Sequence, residues 1–396
     1  MARQAKSDLI GQRQLRIDKI AQLKKLGIDP FPSKSYRTNL ADEISNNYSA
    51  FENQEATVAG RLMTLRRHGA ISFGNIQDSS GSIQLYIKED SLNKTSTQKG
   101  NLGYDLLDML DLGDIVEAKG KVVKTKTGEI SIEAESIRLL TKAIRPLPEK
   151  WAGLKDKETI YRKRYLDLIM DPSKKVNFQK SAELLFAIRE FMNSKGFLEI
   201  KTPILQPVYG GTSAKPFSTH VNSLDKDFYL AVSHELYLKR LITAGFDNVY
   251  NIAGYFRNEG IDRTHNPEFT MLETMTAFQN YEYNMDLIEE MYLYLGKKVF
   301  GRTVFKICGQ DIDFSKPWER IRMIDAVKKY SNYDFNSIKS LEDAHKALDE
   351  IGYKEDRPST IAECMVKVFE EKVEEQLIQP TFVYGHPVEV SPLAKS

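Results

Sequence analysis

From Ala56 to Leu140 apolar and polar residues alternate in short runs, and beyond Val176 the spacing becomes longer and helix-like. Alternation with period two over a handful of residues is the pattern of a half-buried strand. It occurs at Thr57–Thr64, Ala70–Gln77, Ile83–Ile87, Ile115–Thr125 and Ile130–Leu140, with turn residues at Ser79-Ser80-Gly81 and Thr127-Gly128. A helical piece, Tyr104–Leu110, interrupts the series. Five strands with one such insertion suit a small Greek-key barrel, and periodicity alone does not separate an OB-type barrel from an SH3-like one. Ahead of it, Ser7–Leu26 reads as a helix stopped by Gly27, with Pro30 and Pro32 following. Its apolar positions make no single stripe, so its packing partner stays open.

After the barrel pattern, Thr141–Pro172 contains Pro146, Pro148 and Pro172 and reads as a connector. A helix is predicted over Val176–Lys195, ended by Gly196, then a strand at Phe197–Thr202 closed by Pro203. Later runs predict strands at Phe228–Val232, Val249–Phe256 and Phe269–Ala277, and helices at Glu235–Thr243, Asn284–Phe300, Met323–Lys329 and Ile361–Ile378. Strands following strands without regular βαβ alternation predict an antiparallel sheet flanked by helices, an α+β arrangement. The expected division is a lead-in over 1–55, a barrel over 56–145, a linker over 146–175 and a second domain over 176–396.

Composition narrows the class. With 396 residues, 41% apolar and 28% charged, the chain is of the soluble globular kind, long enough for two domains. Net charge is +1, which argues against indiscriminate polyanion binding but leaves local patches possible. Two basic stretches stand out: Arg13, Arg16, Lys19, Lys24 and Lys25, and later Arg138, Lys142, Arg145, Lys150, Lys155, Lys157, Arg162, Lys163 and Arg164. Together they fit a phosphate backbone. Cys308 and Cys364 have no zinc spacing and no disulfide framework, and both are expected to be buried packing residues in a reducing cytosol. Neither a signal peptide nor a membrane span is legible. No glycine-rich dinucleotide or P-loop fingerprint is present.

The densest chemistry lies at Tyr255–Glu273, Y-F-R-N-E-G-I-D-R-T-H-N-P-E-F-T-M-L-E. Arg257, Glu259, Arg263, His265, Glu268 and Glu273 crowd around Gly260 and Pro267 between two apolar runs, which reads as strand, charged turn, strand. Arg257 offers a planar fork for phosphate or carboxylate, and Phe269 a face on which a base can stack.

This segment resembles motif 2 of the class II aminoacyl-tRNA synthetases, in the form used by lysine–tRNA ligases. Further blocks agree: V-A-G-R-L-M-T at Val58–Thr64, K-T-K-T-G-E at Lys124–Glu129, R-P-L-P at Arg145–Pro148, R-Y-L-D-L-I at Arg164–Ile169, H-E-L-Y-L-K-R-L at His234–Leu241 and Q-P-T-F at Gln379–Phe382. The resemblance implies an OB-type barrel before a class II sheet, and lysine activation by ATP followed by transfer to tRNA(Lys). It implies that Arg257 bridges carboxylate and α-phosphate and that Glu259 accepts from the adenine amino group. His265 and Asn266 would contact ATP, and Phe269 would stack on adenine. Gly211, Glu235 and Glu273 would bind lysine, with Arg257 on its carboxylate. In the barrel, Arg66, Phe73, Gln84 and Glu129 would hold a U-rich anticodon; a core aromatic is the other reading of Phe73, and its basic neighbours favour stacking. The helix–Gly–strand–Pro unit from Val176 resembles motif 1, which implies a homodimer, and the family implies a cytoplasmic enzyme.

Two departures bear on function. Where the family usually carries tyrosine two residues after the second glutamate, this chain has Met275. The glycine-rich third motif and the acidic block that binds magnesium are not found up to Ser396, so those ligands are expected beyond it. By itself the 396-residue chain is then expected to form little lysyl-adenylate. A non-catalytic tRNA-binding fragment or pseudoenzyme, or an aspartate- or asparagine-specific relative, are the alternative readings of the same blocks.

Overall fold

The computed structural model describes residues 2–94, 98, 100–148, 156–262, 264–354, 357–391 and 394. The chain divides into two units, Met1–Lys174 and Lys175–Ser396.

In the first unit, strands β1 (Glu55–His68), β2 (Ile71–Gln77), β3 (Ser82–Lys88), β4 (Ile115–Lys124) and β5 (Ile130–Thr141) close into a barrel in the order β1-β2-β3-β5-β4. β1 achieves closure by pairing twice, with β4 through Glu55–Arg61 and with β2 from Arg61 to His68. A register shift between Leu62 and Thr64 bends it from one partner to the other. Burial alternates strictly along β2 and β3. Ser72, Gly74, Ile76, Ile83, Leu85 and Ile87 point inward, and Phe73, Asn75, Gln84 and Tyr86 point out. Gly120 is required where β4 crosses β5, because a Cβ there would lie 2.0 Å from the Glu133 carbonyl oxygen.

The amino-terminal helix, Ala2–Lys25, finds its partner in the barrel. Leu23 is fully buried in the barrel core cluster, and Lys19 pairs with Asp111 at 2.9 Å. Arg16 donates to the carbonyls of Leu112 and Ala143. Asp111 and Asp114 converge on Lys142, whose side chain is fully buried. Burial pushes the Asp114 carboxyl up against the pull of Lys142. At Asp111 burial acts in the same direction, but Lys142 and Lys19 outweigh it and hold the group low.

The stretch expected to be a connector is partly helical. Residues 149–155 lie outside the described residues, but Lys157–Arg162 and Arg164–Met170 are helices. Asp156 caps the first by accepting from the Thr159 amide at 2.8 Å. Asp167, buried, is held by Arg164 and Lys174. The prolines that suggested a linker flank these helices instead of interrupting them.

The second unit centres on a hairpin. After β6 (Leu198–Glu199), β7 (Leu205–Gln206), β8 (Ser218–Val221) and β9 (Lys226–Leu230) come β10 (Asn248–Phe256) and β11 (Glu268–Thr276). β10 and β11 pair antiparallel without a break from Asn248↔Thr276 to Phe256↔Glu268, and β6 adds to β10 in parallel. Helices Lys175–Ser194 and Tyr281–Phe300 pack together and over this sheet through Phe191, Met192, Phe197, Tyr250 and Leu287. A separate helical cluster around Met323, Ala347, Cys364 and Val368 forms a second core. The predicted helix Ile361–Ile378 ends at Lys372, and the unpredicted helix Leu341–Glu350 completes the cluster.

One cysteine departs from expectation. Cys364 is buried, which raises its thiol pKa, whereas Cys308 is exposed. Cys308 and Gly309, at φ +49° and +86°, form the two-residue tip between β12 (Val304–Ile307) and β13 (Gln310–Asp313), and such a tip points to solvent.

Candidate functional site

β10 and β11 place the candidate residues by parity. Register pairs Tyr255 with Phe269, Asn251 with Glu273 and Val249 with Met275, so Phe269, Glu273 and Met275 share one face. Arg257 continues that face past the end of β10. Its amide donates to the Pro267 carbonyl at 2.9 Å, which closes the turn. Its guanidinium lies 5.2 Å over the Phe269 ring, and its buried Nε makes no hydrogen bond. Among the described residues no carboxylate pairs with it, so this half-buried cation is left able to take an anion. Phe269 also stacks on Tyr255 at 5.9 Å. Burial, and then the Glu273 charge, push the Tyr255 phenol far up, against the opposing pull of Arg257.

The charged turn is held from two sides. Glu259 accepts from the Lys215 amide at 3.2 Å, and the Asn258 amide donates to the Lys215 carbonyl at 2.8 Å. His265 is exposed and engaged within the turn, its Nδ1 2.7 Å from Asp262. Backbone amides of Thr264 and His265, together with the imidazole, hold the Asp262 carboxyl well below its ordinary range. Asn266 donates to the Glu268 carbonyl. Arg263 lies outside the described residues.

Glu273 is fixed at both oxygens, by the Ser233 hydroxyl at 2.8 Å and the His234 amide at 3.1 Å. Glu235 heads the helix Glu235–Thr243, where a carboxylate is favoured by the helix dipole, and pairs with Lys239. Gly211, at φ +92°, presses against this turn. A Cβ there would lie 2.8 Å from Ser233 Oγ and 3.0 Å from Glu235 Cβ, so any side chain would collide as well as strain the backbone.

On the barrel, Arg66, Phe73 and Gln84 line one groove of about 870 Å³ with Tyr86, His68 and Lys124–Thr127. Phe73 is on the outer face, directly opposite Arg66 on β1, and stacks on Tyr86 at 5.3 Å. Gln84 accepts from Ser131 at 2.8 Å. Glu129 does not line this groove; its backbone pairs with Thr125 across the β4–β5 turn. Of the two basic stretches, several members are spent internally. Lys142 is buried between aspartates, Arg138 pairs with the buried Glu117, and Arg164 and Lys19 have acidic partners. Lys150 and Lys155 lie outside the described residues.

Residues 156–396 match the family of tRNA synthetases class II (D, K and N), and residues 56–140 match the OB-fold nucleic acid binding domain. A lysine–tRNA ligase of Syntrophomonas wolfei is 46% identical over 383 residues, covering 97% of this chain and 76% of that protein. Those of Moorella thermoacetica and Clostridium perfringens are each 44% identical, over 395 and 396 residues, covering 79% and 78% of their own lengths. The chain belongs to the lysine–tRNA ligase family of class II synthetases.

Membership of this family makes ATP a substrate and magnesium its usual companion. Among the described residues no group of three or more His, Cys, Asp or Glu side chains is disposed to hold a metal ion. Sequence reading gave neither Ser233 nor His234 a part in the site: His234 enters only as the head of the H-E-L-Y-L-K-R-L block, and Ser233 stands just before that block.

Proposed function

We propose that this protein joins L-lysine to tRNA(Lys) through lysyl-adenylate. The observation that carries the reading is that the Glu273 carboxylate and the Glu235 backbone amide meet at one hydroxyl, on a scaffold that also presents an unpaired, half-buried Arg257. Lysine brings two ammonium groups and a carboxylate. Two carboxylates, of which Glu273 is held at both oxygens, and a free guanidinium match that charge pattern, whereas an aspartate substrate would meet repulsion from the glutamates.

In the first step a lysine carboxylate oxygen bonds to the α-phosphorus of ATP, and the bond to the bridging oxygen breaks to release pyrophosphate. Both reactants are anionic, so the protein's task is neutralisation and alignment. Arg257 takes the carboxylate and α-phosphate, Phe269 stacks on adenine, and Glu259 accepts from its amino group. Arg257 rests over Phe269, so it moves off that ring face as the base arrives. His265 and Asn266 border the nucleotide, and Gly211 lets the amino-acid backbone approach. In the second step a terminal ribose hydroxyl of tRNA attacks the carbonyl carbon and AMP leaves.

The groove of Arg66, Phe73 and Gln84, with Glu129 at its turn, receives the anticodon by stacking and edge contacts. Exposed Val176, Phe178 and Phe186 on the helix Lys175–Ser194, and Leu198 after it, support a homodimer. We place the enzyme in the cytoplasm. No helix among the described residues is long and apolar enough to cross a membrane.

The test is ATP–pyrophosphate exchange with lysine, aspartate and asparagine in turn, followed by charging of a tRNA with a U-rich anticodon. Lysine-dependent exchange and charging are expected of the full-length enzyme with its third motif in place. Exchange driven by aspartate or asparagine alone would replace the lysine assignment.

A further inference from the structure

Three separate segments carrying lysine-binding candidates meet at one side chain that none of the roles above uses. Ser233 lies between β9 and the helix Glu235–Thr243 and is 3% exposed. Its hydroxyl donates to Glu273 Oε1 at 2.8 Å and accepts from the Glu235 amide at 3.1 Å. A Cβ on Gly211 would approach the same oxygen to 2.8 Å. A hydroxyl has one proton to give, and committing it to Glu273 leaves the lone pairs for the Glu235 amide. One atom therefore sets where Glu273 points and where Glu235 begins its helix.

The neighbouring residue completes the clamp. The His234 amide holds the other Glu273 oxygen at 3.1 Å, so rotating the carboxylate would break two bonds to one turn. The His234 ring anchors that turn from behind. Its Nε2 faces the Gly254 carbonyl at 3.4 Å and its Nδ1 lies 2.6 Å from Thr202 Oγ1. A carbonyl can only accept, so Nε2 carries the proton and Nδ1 accepts from Thr202. Asn251 in turn donates to Thr202 at 3.1 Å.

We propose that Ser233 is a positioning residue that sets substrate length. By fixing Glu273 relative to Glu235, it makes the pocket accept a diammonium amino acid with the span of lysine and reject shorter homologues such as ornithine. This rests on the lysine reading above. A carboxylate free to rotate could follow a shorter chain inward, whereas one held at both oxygens cannot.

The experiment, in the full-length enzyme with its third motif in place, measures ATP–pyrophosphate exchange with lysine and with ornithine for wild type, Ser233→Ala, Ser233→Thr and Glu273→Gln, with thermal unfolding of each. Ser233→Ala is expected to raise KM for lysine roughly ten-fold, as for loss of one hydrogen bond to a charged group. KM for ATP and the unfolding temperature should hold while the preference for lysine over ornithine narrows. Ser233→Thr, which keeps an Oγ, should retain the preference. Glu273→Gln should lose lysine-dependent exchange. If Glu273→Gln still activates lysine normally, the pocket reading itself fails. If Glu273→Gln is defective while Ser233→Ala keeps wild-type KM and preference, the proposal for Ser233 fails alone. A Ser233→Ala protein whose lysine and ATP constants rise together as its unfolding temperature drops would make Ser233 merely structural, and would also overturn it.

Discussion

The Lys239 ammonium reaches back one turn along its helix and pairs with the Glu235 carboxylate. A lysine of the chain itself thus holds one of the two carboxylates proposed to receive substrate. Lys239 is 59% exposed, and an exposed i,i+4 pair is worth about 0.3–0.5 kcal/mol, so a substrate ammonium held more deeply can displace it. Lys239→Met should lower KM for lysine by about two-fold, the factor that such an energy represents, with little change in stability. A raised KM would show that Lys239 supports the pocket instead of competing for it.

Arg257→Ala should reduce adenylate formation by roughly 100- to 1,000-fold, the usual loss when a positioned donor at developing charge is removed. Its buried Nε makes no hydrogen bond, so the fold loses little with it. Binding of tRNA should stay near wild type by filter binding. Normal pyrophosphate exchange in this variant would remove Arg257 from the reaction.

Phe73→Ala should weaken charging of a tRNA with a U-rich anticodon by about 1–3 kcal/mol, the range for one base–aromatic stack. Phe73 is on the outer face of β2, between inward Ser72 and Gly74, so the barrel core keeps its packing. Amino-acid activation should not change. Loss of both activities together, with a lowered barrel melting temperature, would return Phe73 to a structural role.

His234 gives the second unit a pH dependence. Burial pushes its pKa below the ordinary 6.5, outweighing the upward pull of the Gly254 carbonyl and the Glu273 charge. As pH falls, the unfolded imidazole takes up a proton before the folded one. The stabilisation by neutral His234 is therefore full above about 6.5 and is lost as pH drops through the lower folded value. His234→Gln, neutral throughout, should flatten the fall in unfolding temperature on the acid side. Parallel curves for the two proteins would exclude His234 as the titrating group.

Local pattern was enough for the elements that carry most of the chemistry. Short alternating runs locate the barrel strands that carry Phe73 and Gln84, though not the face that Phe73 takes, and a mostly apolar run on either side of a charged turn specifies the β10–β11 hairpin. Parity then puts Phe269 and Glu273 together, because side chains in a strand repeat every second residue. The residue type made Arg257 legible as a fork for an anion, but with Glu259, Asp262 and Glu268 so near in sequence only the fold leaves its Nε without a partner. The pattern could not decide what long-range contacts consume. Lys142 and Arg138 look like surface cations in sequence, yet Asp114 and Glu117 bury them. Glu129 joins the anticodon candidates through the family resemblance but lies off their groove. Arg164–Met170 read as connector because its stabilising partner, Lys174, lies beyond the helix it holds. Gly211, Ser233 and Glu273 come from three segments far apart in the chain, and no periodicity links them. Only the tertiary fold brings them to one hydroxyl, since a hydrogen bond depends on position in space and leaves no spacing in the sequence to read.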